Sequence, residues 1–397
     1  MTLRYSSMTT RLRGLGSEKW ALHVDAKARK RRGEDVILLT IGEPDILPAA
    51  DLLDACARAM RAGRTGYSNG RGEPALLDAI AAKYARRGGR AVGAENVLCF
   101  PGTQTTLYAV MTGLVESGDE VLVGDPYYAT YDGIVRATGA TIAPVPLHAS
   151  RGFRMNADDL AAAITPRTRV LLLNSPHNPT GAVLTRDDIA DICAICERHD
   201  LWIVSDEVYE DLIFDGTFAS PFDMTEFAER TIVASSISKS HAAPGFRSGW
   251  CVAPEEFTRR LLPLCETILF GNQPFIADAT AYALTHPSDT AARMRQSYEA
   301  RARQIAGALD GLCGIRCLPP QAGMFILADI RATGMSGTDF ATCLLDQAGV
   351  AVMPGESFGA SLSGWVRISL TVADGEIARA MQRMHDTVPG FCAEAAL

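Results

Sequence analysis

Lys239 is the residue whose type and position point most directly to covalent chemistry. The chain has 397 residues with 38 lysines and arginines, and only five of these are lysines. Lys239 is the only lysine after position 83, and it lies among hydroxyl groups and glycines in SSISKSHAAPGFRSGW. An amine condenses with a carbonyl group to form a Schiff base, whereas a guanidinium stays protonated and does not. The sequence therefore predicts carbonyl chemistry at Lys239.

Other polar and aromatic clusters follow short apolar runs, and segments of helical periodicity separate these runs. The clusters are PGTQ, DPYYATY, NSPHNPTG, SDEVY and SSISKS. We predict strands at residues 97–100, 121–124, 141–145, 169–173, 201–205, 231–235 and 249–252. This alternation predicts an α/β fold with a mostly parallel seven-stranded sheet flanked by helices. Ligands bind such sheets at the carboxyl ends of the strands, so we expect the clusters to meet at one edge.

The rhythm of strands and helices is confined to the middle of the chain. We predict a large ligand-binding domain over residues 49–275. Residues 1–48 and 276–397 lack this rhythm, and we expect them to form a smaller α+β domain together.

The composition excludes several classes of function. The formal net charge is -8 and no stretch concentrates basic residues, which argues against a nucleic-acid partner. We find neither a secretory signal nor a run of about 20 apolar residues, so we expect a cytoplasmic protein without a membrane partner. Cys193, Cys196 and His199 are the one tempting metal cluster, but helical spacing spreads them around the cylinder, so we expect no metal.

Several spaced motifs resemble those of the class I aminotransferases, which are aspartate-aminotransferase-like enzymes of fold type I. The lysine signature is SISK, at residues 236–239, followed eight positions later by Arg247. The resemblance extends in the same order over IGEPD, NPTG, SDEVY and WVRISL and covers nearly the whole chain. It implies pyridoxal 5'-phosphate as the cofactor and the transfer of an α-amino group to a 2-oxo acid as the reaction.

The resemblance also assigns roles around the cofactor. Lys239 would bind the aldehyde and move the α-proton, and Asp206 would keep the pyridine nitrogen protonated. Tyr209 and Asn178 would hydrogen-bond the phenolic oxygen. Lys239, Asp206 and Tyr209 are thus the implied catalytic residues. Tyr128 would stack on the pyridine ring, and Tyr127 and Tyr131 are nearby alternatives.

Further residues are candidates to bind the phosphate of the cofactor and the α-carboxylate of the substrate. Thr103 and Gln104 lie between a predicted strand and a predicted helix, where backbone N–H groups can face an anion. The resemblance adds Ser236 and Arg247 to this phosphate site, and Tyr67 from a neighbouring subunit, which implies a homodimer. The implied substrate-binding residues are Arg367 for the α-carboxylate, Asn178, and Gly42 in a loop that covers the substrate.

The side-chain specificity depends on fewer residues. Aspartate-specific members use an arginine where this chain has Thr267, so we do not expect an acidic donor. The segments SPHNP, LIFDG, SKSHA, GMFILADIRATG and GESFG resemble those of arginine–pyruvate aminotransferases. We therefore expect arginine or another basic or neutral amino acid as donor and an oxo acid such as pyruvate as acceptor. Glu43, Trp20 and His23 are candidates for the wall of the side-chain pocket.

Two other readings remain open from the sequence. A β-lyase or an amino-acid oxidase would use the same lysine, aspartate and arginine. A non-catalytic sensor on the same fold would carry an additional DNA-binding domain, and only about 45 residues precede the core here.

Overall fold

The computed structural model describes residues 3–394, so residues 1–2 and 395–397 of the predicted small domain lie outside the described part. Within it, the strands in chain order are β1 (Ile37–Leu39), β2 (Val97–Phe100), β3 (Glu120–Asp125), β4 (Thr141–Pro146), β5 (Thr168–Asn174), β6 (Trp202–Asp206), β7 (Thr231–Ser236), β8 (Gly249–Val252), β9 (Arg316–Leu318), β10 (Phe325–Asp329), β11 (Val350–Pro354) and β12 (Trp365–Ser369).

Seven of these strands form the large sheet, in the order β2-β8-β7-β6-β5-β3-β4. Pairing is parallel except on both sides of β8, which runs antiparallel to β2 and to β7. The central strands are buried on both faces, as expected when helices cover a parallel sheet. Each predicted strand overlaps an observed one, and the predicted fold class is confirmed.

The helices in chain order are α1 (Ser7–Arg11), α2 (Ala21–Arg31), α3 (Ala50–Arg61), α4 (Pro74–Gly88), α5 (Thr103–Leu114), α6 (Tyr131–Thr138), α7 (Ala157–Ala163), α8 (Arg186–Arg198), α9 (Ile237–Ser240), α10 (Glu255–Leu264), α11 (Pro274–Thr285), α12 (Thr290–Leu309), α13 (Gly337–Ala348) and α14 (Asp374–Glu394). Short 3-10 turns connect several of them, and a π-helical segment, Cys265–Leu269, continues α10. Among the described residues, no helix is long and apolar enough to cross a membrane.

Local sequence explains where the helices next to the sheet begin. At α8, Thr185 accepts a hydrogen bond from the backbone of Asp188, whose side chain accepts one from the backbone of Thr185. This reciprocal capping satisfies backbone donors at the helix start. The start of α5 is set by Gly102, whose φ of 87° suits glycine and turns the chain from β2 into the helix.

The second sheet has five strands in the order β1-β11-β12-β10-β9, and only β1 and β11 pair in parallel. A core of aliphatic and aromatic side chains lies between this sheet and α12, α13 and α14. Because β1 comes from the N-terminal segment, the smaller sheet joins both ends of the chain.

We propose two domains, one around each sheet. The sequence placed the boundary at residue 275, and that boundary stays a prediction. Helix α11 packs its buried face, including Ile276 and Ala279, against α3 and α4 of the large domain. This packing favours a boundary near residue 285, after α11.

Candidate active site

A cavity of about 480 Å³ lies at the carboxyl edge of the large sheet. Strand ends of the large domain form its floor, and the loop after β1 and strand β12 of the small sheet form its roof. Ten of the twelve predicted catalytic, cofactor-binding and substrate-binding residues line this cavity: Gly42, Thr103, Gln104, Tyr128, Asn178, Asp206, Tyr209, Lys239, Arg247 and Arg367.

Lys239 projects its amine into the cavity from the short helix α9, directly after β7. Its Nζ donates a hydrogen bond to the carbonyl of Gly42 at 2.7 Å. Burial lowers the pKa of Lys239 to about 8; the nearby guanidinium groups add to the lowering, and the carboxylates of Glu43 and Asp206 oppose it. A large fraction of this amine is therefore neutral, and nucleophilic, near pH 8.

Asp206 ends strand β6 and is buried beneath the cavity. Its Oδ2 accepts a hydrogen bond from the hydroxyl of Tyr131 at 2.6 Å, and its Oδ1 accepts one from the backbone of Val208 at 3.3 Å. Burial raises the pKa of Asp206 to about 6, and these two hydrogen bonds limit the rise. The group is thus an anion at neutral pH, held in one orientation and suited to bind a cation in the cavity.

Three polar side chains form a connected row above Asp206. The amide of Asn178 donates to the hydroxyl of Tyr209 at 3.4 Å and accepts from Nη1 of Arg367 at 3.1 Å. The backbone N–H of Asn178 donates to the side chain of Asn174 at 2.9 Å, which fixes the loop that follows β5. This row presents an amide and a phenol toward any oxygen of a bound ligand.

Arg367 lies on β12 and is 1% exposed. Its guanidinium carbon is 3.7 Å from the ring centroid of Phe325 and 4.1 Å from that of Phe358. It donates to the carbonyl of Thr40 at 2.7 Å, and its Nε has no hydrogen-bond partner among the described residues. Burial lowers the pKa of Arg367 to about 9, as expected for a cation without a nearby counter-charge. A carboxylate in the cavity would supply that counter-charge.

A concave backbone surface lies at the start of α5, next to Arg247. The Arg247 guanidinium packs against Gly102, so a Cβ there would overlap it, and a Cβ on Gly249 would lie 2.6 Å from the carbonyl carbon of Gly102. Oγ1 of Thr103 is buried without a hydrogen-bond partner in the described structure. The start of a helix, a hydroxyl without a partner and a guanidinium therefore lie side by side at the cavity, an arrangement suited to phosphate.

The loop at residues 40–45 covers the cavity. Gly42 packs so closely on the ring of Phe325 that a Cβ would overlap the ring. The carbonyl of Ile41 accepts hydrogen bonds from Ser369 at 2.8 Å and from Thr371 at 3.0 Å. The loop is therefore fixed to the end of β12, the strand that carries Arg367.

Two predicted residues are not among those that line the cavity. Ser236 uses its hydroxyl to cap α9, accepting from the backbone of Ser238 at 3.2 Å, and Ser238 lines the cavity instead. Tyr67 is 96% exposed, and its ring centroid is 6.1 Å from that of Phe270. Their predicted phosphate contacts stay predictions.

Of the three candidates for the side-chain pocket, two line the cavity and one does not, and the three residues of the candidate metal cluster do not lie together. Glu43 and Trp20 line the cavity, whereas Nδ1 of His23 is 2.7 Å from the hydroxyl of Thr40. Cys193 and Cys196 lie on the buried face of α8 and pack in the core, whereas His199 is exposed at the end of that helix.

Sequence reasoning missed the supporting roles of Tyr131, Asn174, Phe325 and Phe358. Tyr131 entered only as an alternative stacking ring. The available signal for its role was its position three residues after Tyr128. The two rings meet edge to face at 5.6 Å, and the Tyr131 hydroxyl donates its hydrogen bond to Asp206. No comparable signal marked the two phenylalanines, which lie far along the chain from Lys239.

Residues 34–384 match the family described as aminotransferase class I and II. The chain is 42% identical over 382 residues to arginine–pyruvate transaminase AruH of Pseudomonas aeruginosa, covering 96% of this chain and 97% of that protein. It is 32% identical to an aspartate aminotransferase of Geobacillus stearothermophilus, over 92% of this chain and 94% of the relative.

Solved structures show the same likeness. The aspartate aminotransferase of Rhizobium meliloti superposes with a TM-score of 0.92 at 30% identity, over 98% of this chain and 99% of the other. The chain belongs to the class I and II aminotransferases and has their fold type I architecture. It is a transferase, and its family uses pyridoxal phosphate.

The cavity fits this cofactor on its own evidence. The unpartnered Thr103 hydroxyl and the cradle at Gly102 suit the phosphate, the amine of Lys239 suits the aldehyde, and the buried anion of Asp206 suits a pyridinium. These groups line one continuous cavity, so a single ligand can reach all of them.

Proposed function

We propose that this protein transfers the α-amino group of arginine, or of another basic or neutral amino acid, to a 2-oxo acid such as pyruvate. The observation that carries the proposal is the buried Arg367, whose Nε lacks a partner in the described structure and which shares a cavity with the amine of Lys239. A 2-amino or 2-oxo carboxylate would place its carboxylate on Arg367 and its reacting carbon near that amine. The relative at 42% identity, which is named for arginine and pyruvate, supports this choice of substrates.

In this proposal, residues in and beside the cavity would hold pyridoxal phosphate. Asp206 would bind the pyridine nitrogen, Tyr128 would cover the ring face, and Asn178 with Tyr209 would bind the phenolic oxygen. The phosphate partners are Thr103, Gln104, Ser236, Arg247 and, from a second subunit, Tyr67.

When bound, the cofactor supplies an aldehyde for the amino group and an electron sink for the charge at the α-carbon. Lys239 is the base that removes the α-proton and returns it, because burial leaves its amine neutral in much of the population near pH 8. Arg367 orients the substrate through its carboxylate, and the rings of Phe325 and Phe358 keep the guanidinium in place. The loop at residues 40–45 excludes water from the reacting carbon.

The residue at position 267, outside the cavity lining, and two residues of the cavity wall support a donor without an acidic side chain. Thr267 stands where aspartate-specific members have an arginine, and its hydroxyl donates to the carbonyl of Pro263 at 2.6 Å. Glu43 brings a carboxylate to the cavity wall, and Trp20 brings an aromatic ring. Both favour a cationic side chain over an anionic one.

We propose a homodimer as the active unit. Tyr67, Ile268 and Phe270 are large apolar side chains that are 96%, 65% and 52% exposed, and Tyr67 packs on Phe270. A second subunit on this surface would cover them and bring Tyr67 to the partner's phosphate site.

The test is a donor panel with pyruvate as acceptor and alanine as the measured product. Arginine, lysine, leucine and aspartate are each incubated with the protein and pyridoxal phosphate, with Lys239→Ala as the control. We expect alanine from arginine at the highest kcat/KM, little from aspartate, and no turnover by the variant. Ammonia or peroxide without alanine would instead identify a lyase or an oxidase and refute the proposal.

A further inference from the structure

An ion pair between a buried arginine and a partly exposed aspartate ties the substrate-covering loop to the small domain. Nη1 of Arg301, on α12, is 2.9 Å from Oδ2 of Asp45, the last residue of this loop. Arg301 is only 7% exposed, and the side chain of Asp45 is 18% exposed. Solvent screens this pair less than a fully exposed pair, because the guanidinium of Arg301 is buried.

The same guanidinium also holds the strand that carries the carboxylate-binding arginine. Nη1 of Arg301 donates to the carbonyl of Leu370 at 2.9 Å, three residues after Arg367. The neighbouring Ser369 and Thr371 hold the loop through the carbonyl of Ile41. Arg301 is therefore the charged group at which the loop and the end of β12 meet.

A third contact of Arg301 provides an internal comparison. Its Nε donates to Oδ1 of Asp374 at 2.7 Å, but the side chain of Asp374 is 80% exposed and belongs to the start of α14. Exposed pairs contribute little because solvent screens them. Two carboxylates thus share one guanidinium, and only Asp45 connects it to the active site.

We propose that Arg301 is a positioning residue that fixes the loop at residues 40–45 over the substrate through Asp45. This inference rests on the proposed function, because the loop matters only if substrate binds between Gly42 and Arg367. Arg301 does not line the cavity, so it acts through the loop and through β12. Losing the pair removes one of the contacts that position the loop, whose carbonyls at Gly42 and Thr40 accept from Lys239 and Arg367.

The test compares Asp45→Asn with Asp374→Asn, which make the same chemical change on the two partners of Arg301. We expect Asp45→Asn to raise the KM for both the amino donor and the oxo acid about 10-fold or more, with a smaller change in kcat. Asp374→Asn should stay within about 2-fold of the wild type. Arg301→Lys keeps the charge but loses the fork, and should resemble Asp45→Asn.

A second readout does not depend on activity. Amide hydrogen exchange at residues 40–46 should be about 10-fold faster in Asp45→Asn than in Asp374→Asn, while exchange in β5 and β6 stays equal in both. Equal loop exchange and equal KM in these two variants would overturn the inference. If the wild-type protein makes no alanine but the two variants show this difference in exchange, the proposed function is refuted, and the role of Arg301 in fixing the loop is still supported.

Discussion

Tyr131→Phe tests whether a neighbouring hydroxyl keeps Asp206 ionised. The substitution removes one oxygen, the donor of the 2.6 Å hydrogen bond to Oδ2 of Asp206. The ring should stay in place because it packs edge to face on Tyr128 within the core. Any change in activity then reports on the carboxylate and not on a cavity in the core.

The magnitude follows from the burial of both partners. A hydrogen bond to a charged group stabilises it by about 1.5–3 kcal/mol. About 1.4 kcal/mol corresponds to a change of one in pKa, so the loss raises the pKa of Asp206 by about one to two. The starting value is already about 6, raised by burial. The carboxyl group of the variant is therefore about half to nine-tenths protonated at pH 7, and the protonated form no longer holds a pyridinium.

The assay is the pH dependence of kcat/KM from pH 5 to 9.5. The acid limb of Tyr131→Phe should move upward by about one to two pH units, with about a 2- to 10-fold loss at pH 7 and recovery near pH 9. Tyr127→Phe removes a hydroxyl from the same segment and should leave the profile unchanged, and thermal melting checks that both variants fold. A Tyr131→Phe profile that superimposes on the wild type would refute the reasoning.

Three other predictions concern the remaining groups of the cavity. Arg367→Lys loses the guanidinium fork that lies between the rings of Phe325 and Phe358. The KM for both amino and oxo acids should therefore rise about 10- to 100-fold. An unchanged KM would contradict the role of Arg367 in binding the carboxylate. Gly42→Ala places a Cβ on the ring of Phe325, so the free energy of unfolding should fall by about 1–3 kcal/mol in a denaturant titration, while Gly245→Ala, at an open position, should change it little. In the cofactor-free protein, reductive methylation of Lys239 should follow a midpoint near pH 8, because burial favours the neutral amine; a midpoint above pH 10 would contradict this.

The sheet was predictable because its strands, apart from the edge strand β4, are buried on both faces. Such strands appear in the sequence as short apolar runs, and each predicted run differs from the observed strand by one residue or none at either end. The segments that follow the runs then meet at one edge because neighbouring strands are parallel. Asn178, Asp206 and Lys239 all reached the cavity in this way.

Contacts between distant parts of the chain could not be read from local pattern. Tyr131 and Asp206 are 75 positions apart, and the carboxylate's partner depends on how α6 packs against α5 and β4. The orientation of Ser236 was equally hidden, because a serine at a strand end can face a ligand or cap the next helix. An alanine-rich helix such as α11 likewise does not show which domain it joins.

Borohydride reduction followed by peptide mapping tests the central claim most directly. The protein is loaded with pyridoxal phosphate, reduced and digested, and the modified peptide is sequenced by mass spectrometry. We expect a single label on Lys239, and no labelled peptide from Lys239→Ala. A label on Lys19, Lys27, Lys30 or Lys83, or none in the wild type, would contradict it.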